Sequence, residues 1–448
     1  MTPGWLEYLR RARWFGVGDE DRLGGVEPLG WYTPAGSLPA VRSELARLAD
    51  GEDAYHLLVG YLPAGTAEPG ALVETTEVAE LGRVDVVDAA ASPTAMTALL
   101  NALRTIPGDR YAGSSGEEAV LTRAATGRGT GLDEGSNAEP LHQAQGSSPA
   151  VQWFQHPSRL EPVRLLGAEQ SNSAVVAGDS LVKIFRRLSP GPNPEPELLA
   201  ALAGGPVPAL HGVLSQAGYD LLVATEFLPG ARDGWEFATA ACAAERPIDS
   251  ELQQLGGALR QVHDGLAETF GTRQLAGAEL RRKLLADLER AVGELPVLAP
   301  YRDALASVLT GVPDADLLTQ RVHGDFHLGQ ALLVGDGWRI IDFEGEPGAP
   351  IAQRRGFDSR WRDVAGLLRS LDYVRSAHPE PDGPRAWAWC DRGRAAFLTG
   401  YGQDPAALPL VHAHEVARMV YEVGYEVRNR PDWVGIPLSA VKNVATRH

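Results

Sequence analysis

An α+β fold in two lobes, with a further unit ahead of them, is the fold class this sequence predicts. Three observations carry it. Short β-branched runs dominate as far as about residue 228, and apolar residues at helical spacing dominate after it. Between the two, Pro229-Gly230 breaks the chain. The 448 residues, 44% of them hydrophobic, suffice for two or three domains with substantial cores. The expected division is residues 1–90, residues 91–228 with a long loop at 112–149, and residues 229–448.

The first unit opens with an amphipathic aromatic segment, Trp5 to Phe15, and continues in strand-like pieces, His56 to Tyr61 and Ala71 to Val73. Met96, Leu99, Leu100 and Leu103 fall at helical spacing within Thr94–Thr105. Residues 112–149 turn rich in Gly, Ser and Thr and read as a loop or linker. Val163–Leu166, Ala174–Val176 and Leu181–Phe185 then predict a small antiparallel sheet. Leu221–Leu228 is an apolar strand that stops at the breaker. Beyond it Ser250 can cap a helix carrying Leu252, Leu255, Leu259, Val262 and Leu266 on one face. His263 on that helix reads as a structural histidine. Residues 280–295 and 301–309 read as further helices.

The chemistry concentrates later. His323-Gly324-Asp325-Phe326-His327-Leu328-Gly329-Gln330 is followed by Ile341-Asp342-Phe343-Glu344. Ala331–Val334, the turn Gly335-Asp336-Gly337 and Trp338–Ile341 predict a hairpin that returns Asp342 to Gln330. A carboxylate, an amide and a second carboxylate are the parts of phosphoryl transfer: a base facing the acceptor hydroxyl and two oxygen ligands for magnesium. Protein kinases space their catalytic-loop Asp and Asn in the same way, with Gln330 here in the place of Asn. Lys183 sits in an apolar strand after a turn, Glu169 to Ser173, whose hydroxyls and amides can meet phosphate. Such a lysine needs a helix glutamate; Glu197 is the first candidate and Glu195 its competitor. Asp363 near a helix start reads as structural, able to pair with catalytic-loop groups. Tyr421 and Tyr425 share one helix face, and Glu422 and Glu426 share the next. That segment is either a charged face with core aromatics or a sugar site.

Taken together, Gly167–Ser173, Lys183–Arg187, His323–Gln330, Ile341–Pro347, Arg362–Gly366 and Tyr421–Trp433 resemble the aminoglycoside-phosphotransferase-like kinases. Among these the chain is most similar to the actinobacterial maltokinases and glucosamine kinases. Ala12-Arg13-Trp14-Phe15-Gly16 resembles part of that family's N-terminal cap. The resemblance implies a bilobal, protein-kinase-like fold with a cap, and ATP and magnesium as cofactors. It gives Asp325 the proton of the acceptor hydroxyl and Gln330 and Asp342 the metal. Ser171, Asn172, Ser173, Lys183, Glu197 and the hinge residues Glu226 and Leu228 would hold the nucleotide. Asp325, His327, Glu422, Tyr425 and Glu426 would face the sugar. A pocket rich in carboxylates suits an ammonium group, so the expected reaction is phosphorylation of the 6-hydroxyl of glucosamine; the alternative is formation of maltose 1-phosphate.

A formal net charge of −17 argues against a nucleic-acid partner. No basic-then-apolar leader or membrane-length apolar run is visible, and a cytoplasmic monomer is expected. Cys242 and Cys390 read as free thiols. Two rival classes remain: a metallohydrolase using His323, Asp325 and His327, and a kinase-shaped binding module without activity.

Overall fold

The computed structural model describes residues 2–16, 19–34, 36–49, 53–106, 149–166, 172–402 and 404–447. These form two compact units: Met1–Ala203 with Pro208–Leu228, and Gly204–Val207 with Pro229–His448. The loop expected at 112–149 lies outside the described residues except for Pro149, as does the turn from Gly167 to Ser171.

In the first unit, α1 (Pro3–Arg11) buries Trp5 and Leu9 and exposes its polar face. Strands β1 (Leu23–Trp31), β2 (Ala40–Leu48), β3 (Ala54–Pro63), β4 (Leu72–Val78) and β5 (Gly82–Asp88) pair antiparallel in the order β1-β2-β3-β5-β4. Trp14, Phe15 and Tyr55 anchor their core. Helix α2 (Pro93–Leu103), capped by Ser92, lies within one residue of the predicted start. A second antiparallel sheet takes β6 (Ala150–Trp153), β7 (Val163–Leu165), β8 (Asn172–Ala177) and β9 (Ser180–Phe185). The short β10 (Arg187–Leu188) leaves that sheet and pairs with β3 of the first. Helix α3 (Pro194–Ala201) and strands β11 (Leu210–Gln216) and β12 (Tyr219–Glu226) complete the unit, in the order β6-β11-β12-β9-β8-β7. The antiparallel β7–β8–β9 arrangement is the one the sequence predicts.

Buried polar contacts join the two sheets of this unit. The fully buried Arg186 donates to Asp88 at 2.6 Å and to the Ser173 hydroxyl at 2.8 Å, and its guanidinium lies 4.4 Å from the Trp14 ring centre. Tyr8 donates to the same Asp88. His56 bridges the Ser43 hydroxyl and the Phe185 carbonyl. Burial, helped by Arg186, pushes the His56 imidazole down to about 3.

The second unit is mostly helical. It starts with β13 (Arg232–Asp233), α4 (Gly234–Ala243) and α5 (Asp249–Phe270). Helix α5 buries Leu252, Leu255, Leu259, Val262 and Leu266, as the spacing predicts. Its start differs from the sequence reading: no side chain caps it, and the Ser250 hydroxyl donates to the neighbouring Glu251. β14 (Arg273–Ala276), α6 (Gly277–Glu294), α7 (Arg302–Thr310) and β15 (Asp316–Thr319) follow. Then come the hairpin β16 (Ala331–Val334) and β17 (Gly337–Ile340), the short α8 (Ile351–Arg354), α9 (Trp361–Arg375), α10 (Pro384–Tyr401), α11 (Leu408–Asn429) and α12 (Gly435–Arg447). Helices α5 and α10 cross through glycines: a Cβ on Gly256 would lie 2.2 Å from the Phe397 carbonyl oxygen. Cys242 and Cys390 are buried and free. Among the described residues no helix is long and apolar enough to cross a membrane.

Candidate active site

Each unit carries part of the expected machinery. In the first, β9 places Lys183 directly opposite Ala174 of β8, so Lys183, Ala174 and Asn172 share one face of the sheet. Lys183 Nζ lies 2.9 Å from Glu195 Oε2, with the side chains 18% and 7% exposed. The lysine is therefore held by Glu195, where the sequence placed Glu197 first. The reason lies in the helix start. Asn193 caps α3 by accepting from the Glu195 amide, and Pro194 opens the helix three residues ahead of Glu197. Glu197 is also buried, one step further along.

The turn residues divide. Ser171 lies outside the described residues, and Asn172 begins β8 on the lysine's face. Ser173 points the other way and is buried, its hydroxyl taken by Arg186. That placement corrects the reading of Ser173 as a phosphate contact. Strand alternation decides it, because neighbouring residues cannot both face the lysine's side. At the predicted hinge, the Glu226 amide donates to the Ala209 carbonyl and the Phe227 amide to the Asp179 carbonyl. Leu228 is the last residue of the first unit.

In the second unit the catalytic loop is tied down from behind. Asp363, fully buried on α9, accepts from the amides of His323 (2.8 Å) and Gly324 (2.9 Å) and pairs with His263 Nε2 at 2.9 Å. Burial opposes its charge, but His263 and these amides hold its carboxyl below the ordinary range. His263 Nδ1 also meets the Tyr401 hydroxyl. Both residues take the structural roles read from the sequence. His323 Nε2 donates to the Ile341 carbonyl, while its Nδ1 accepts from the Asp325 amide. With both ring nitrogens engaged, His323 does not suit a metallohydrolase's ligand set. Gly366 lets α9 approach the loop: a Cβ there would lie 2.5 Å from the Phe326 carbonyl oxygen.

The hairpin returns as predicted. The Ile341 amide donates to the Gln330 carbonyl, and Gln330 Nε2 donates to Asp342 Oδ2 at 2.8 Å. Asp342 adopts a left-handed backbone, φ 65°, a conformation that costs an ordinary side chain energy and gathers at functional positions. The Gln330 amide and the Asp342 carboxylate thus stand side by side, and with the amide turned over they present two hard oxygen donors that fit magnesium. His327 begins the short turn Leu328–Gln330 and accepts from the Gly329 amide. Burial keeps its imidazole below the usual range.

Asp325 is not open. Arg418 of α11 donates to its Oδ1 at 2.9 Å and lies 3.7 Å from Glu422. Glu422 in turn accepts two bonds from Arg369, whose third contact is Asp372. Asp325, Arg418, Glu422, Arg369 and Asp372 therefore form one chain of alternating charge. Burial raises the Glu422 carboxyl despite the two arginines. Glu426 accepts from Tyr373 and Arg430, and Tyr425 is partly exposed and stacks on Tyr421. Of the five residues expected to face a sugar, Glu422 reaches Asp325 only through Arg418, and Glu426 is engaged a turn further on. Sequence reasoning missed Arg418. Its i,i+4 spacing from Glu422 was a signal, but its other partner lies 93 positions away.

Around Asp325 lies a cavity of about 200 Å³. Asp287, Asp325, Glu346, Asp358 and Asp363 line it, with Lys283, Arg362 and Arg418 as the cations. Arg362 is spent on Glu346 and Asp358.

The model of the phosphotransferase enzyme family matches residues 162–409. The chain belongs to that family. It is 32% identical over 317 residues to a glucosamine kinase of Streptacidiphilus jiangxiensis, covering 60% of this chain and 70% of the relative. It is 29% identical over 344 residues to a glucosamine kinase of Mycolicibacterium smegmatis, covering 68% and 84%. A solved glucosamine kinase in complex with glucosamine, ADP and inorganic phosphate superposes with a TM-score of 0.62 at 22% identity, over 99% of this phosphotransferase and all of that chain. The likeness is one of fold, and it takes in the first 90 residues as well as the stretch that the family model matches.

Proposed function

We propose that this phosphotransferase is an ATP-dependent kinase that phosphorylates the 6-hydroxyl of D-glucosamine, acting as a cytoplasmic monomer. The observation that carries the reading is the site around Asp325: a carboxylate aimed by Arg418, in a cavity lined by five carboxylates and three cations. The two glucosamine kinase relatives support the same acceptor. An ammonium group in such a cavity gains charge-assisted hydrogen bonds of roughly 1.5–3 kcal/mol each, which a neutral hexose lacks.

In this reading Asp325 takes the proton of the acceptor hydroxyl. The hydroxyl oxygen bonds to the γ-phosphorus as the bond to the ADP oxygen breaks. Arg418 holds the Asp325 carboxylate in register, and Glu422 with Arg369 holds Arg418. Lys183, fixed by Glu195, orients the nucleotide phosphates, and Asn172 stands on the same face. The strand end at Glu226 to Leu228 supports the adenine. Gln330 and Asp342 would hold magnesium, which would offset phosphate charge. His327 and Tyr421 border the acceptor.

An ADP-release assay with glucosamine, glucose, maltose and N-acetylglucosamine tests this. Selective turnover of glucosamine is expected. Preference for maltose would replace the acceptor, and ADP release that ignores Asp325→Asn would remove the mechanism.

A further inference from the structure

Behind Tyr421 the acceptor cavity meets a second hollow, of about 340 Å³, enclosed by α6, α7 and α11. Leu284, Asp287, Ala417 and Tyr421 line both. The two differ in chemistry. The first is dominated by charge. The second is walled by Leu288, Leu295, Leu309, Val416 and Val420; of its charged residues Arg290, Glu294 and Arg428 are exposed and Asp287 is half-buried. Gly424 faces the hollow without a side chain; a Cβ there would come to 3.3 Å from Leu295 Cδ1 and 3.4 Å from Arg428 Nη2, whose flexible side chain can swing out to solvent. Tyr421 stands between the two spaces, partly exposed, with Arg418 5.3 Å from its ring centre.

Small-molecule sites usually span roughly 300–1,000 Å³. The acceptor cavity alone falls short of that range, and with the second hollow it falls inside it. A free hexosamine has nothing apolar to place beyond Tyr421. The chemistry of the reaction leaves one end of the sugar available: with the 6-hydroxyl at Asp325, a substituent on the anomeric carbon points away from the reacting atoms. A protein partner does not suit the hollow, because protein interfaces bury about 800 Å² per partner over a broad surface.

We propose that the acceptor is a glucosamine carrying an apolar aglycone on its anomeric carbon, and that the hollow beside Leu288, Leu295 and Val420 receives the aglycone. This rests on the reading of the Asp325 cavity as the amino-sugar site. The phosphoryl step is unchanged, since the anomeric substituent takes no part in it.

The test compares free glucosamine with phenyl glucosaminide, using the full chain with ATP and magnesium. The expected KM for the glucosaminide is about ten-fold lower, the discrimination one apolar group earns in such a pocket. Gly424→Leu and, on the opposite wall, Ala291→Phe each fill the hollow. Both are expected to abolish the advantage and leave glucosamine turnover unchanged. Glucosamine turnover with no lower KM for the glucosaminide would overturn this proposal alone, as would an advantage that survives both substitutions. Turnover of neither amino sugar would overturn the glucosamine reading and this proposal with it.

Discussion

The cation of the first unit and the carboxylate of the second are held in contrasting ways. Lys183 on β9 meets the buried Glu195 in the first turn of α3, and the lysine keeps 18% of its side chain exposed. Asp325 ends a line of charges that starts at Arg418, 27% exposed, and runs inward through Glu422, Arg369 and Asp372, which are buried, Arg369 to 1% exposed. A partly solvated pair can lose one member and be rescued by water. The inner part of the line, Glu422, Arg369 and Asp372, cannot, because removing one buried charge strands its neighbours. The first arrangement tunes a ligand contact; the second fixes the geometry of the reacting group and stabilises the fold together.

Substitutions can break this contrast in order of expected effect. Asp325→Asn removes the proton acceptor while keeping the shape. Turnover should fall by about 10²–10⁴-fold with nucleotide affinity retained, as single-turnover kinetics and nucleotide titration would show. Arg369→Met leaves Glu422 and Asp372 buried without their shared cation. Chemical denaturation should register a loss of about 3–5 kcal/mol, whereas a change below about 1 kcal/mol would show the line to be no more than a surface pair.

Glu195→Gln weakens the hold on Lys183. The Michaelis constant for ATP should rise by roughly ten-fold, the scale of one charge-assisted bond, with sugar affinity unaffected. Glu197→Gln should do less; the reverse order would return the lysine's partner to the residue first chosen from the sequence.

The last effect is absent at neutral pH and develops only in acid. His56 has a folded-state pKa of about 3 against 6.5 for a free imidazole. Below pH 6.5 the unfolded chain binds the proton and the folded chain does not. The contribution is therefore complete above that pH and is lost as pH falls toward 3, by up to about 1.4 kcal/mol per unit. Acid-unfolding curves of His56→Gln should be shallower over that window.

Local features were legible in the sequence. The hairpin from Ala331 to Ile340 needed only its turn and two short strands, and it brought Gln330 to Asp342 as expected. The loop-anchoring role of Asp363 and the structural role of His263 were also legible, since a polar residue amid a helix's apolar spacing must find partners. Features fixed by distant partners were not. Ser173 turns to Arg186 because Asp88, 98 positions earlier than Arg186, holds that guanidinium inside the fold. Arg418 meets Asp325 only once α11 packs against α9. The start of α3 was within reach: Asn193-Pro194 is a cap-and-opener signal, and it would have favoured Glu195.

The most direct test of the central claim is the initial rate of ADP release with saturating glucosamine, ATP and magnesium, measured beside Asp325→Asn and beside maltose. Fast turnover with glucosamine, little with maltose, and loss of the glucosamine rate in the variant are expected. A chain that turns over maltose and ignores glucosamine, or an Asp325→Asn protein as fast as the parent, would contradict it.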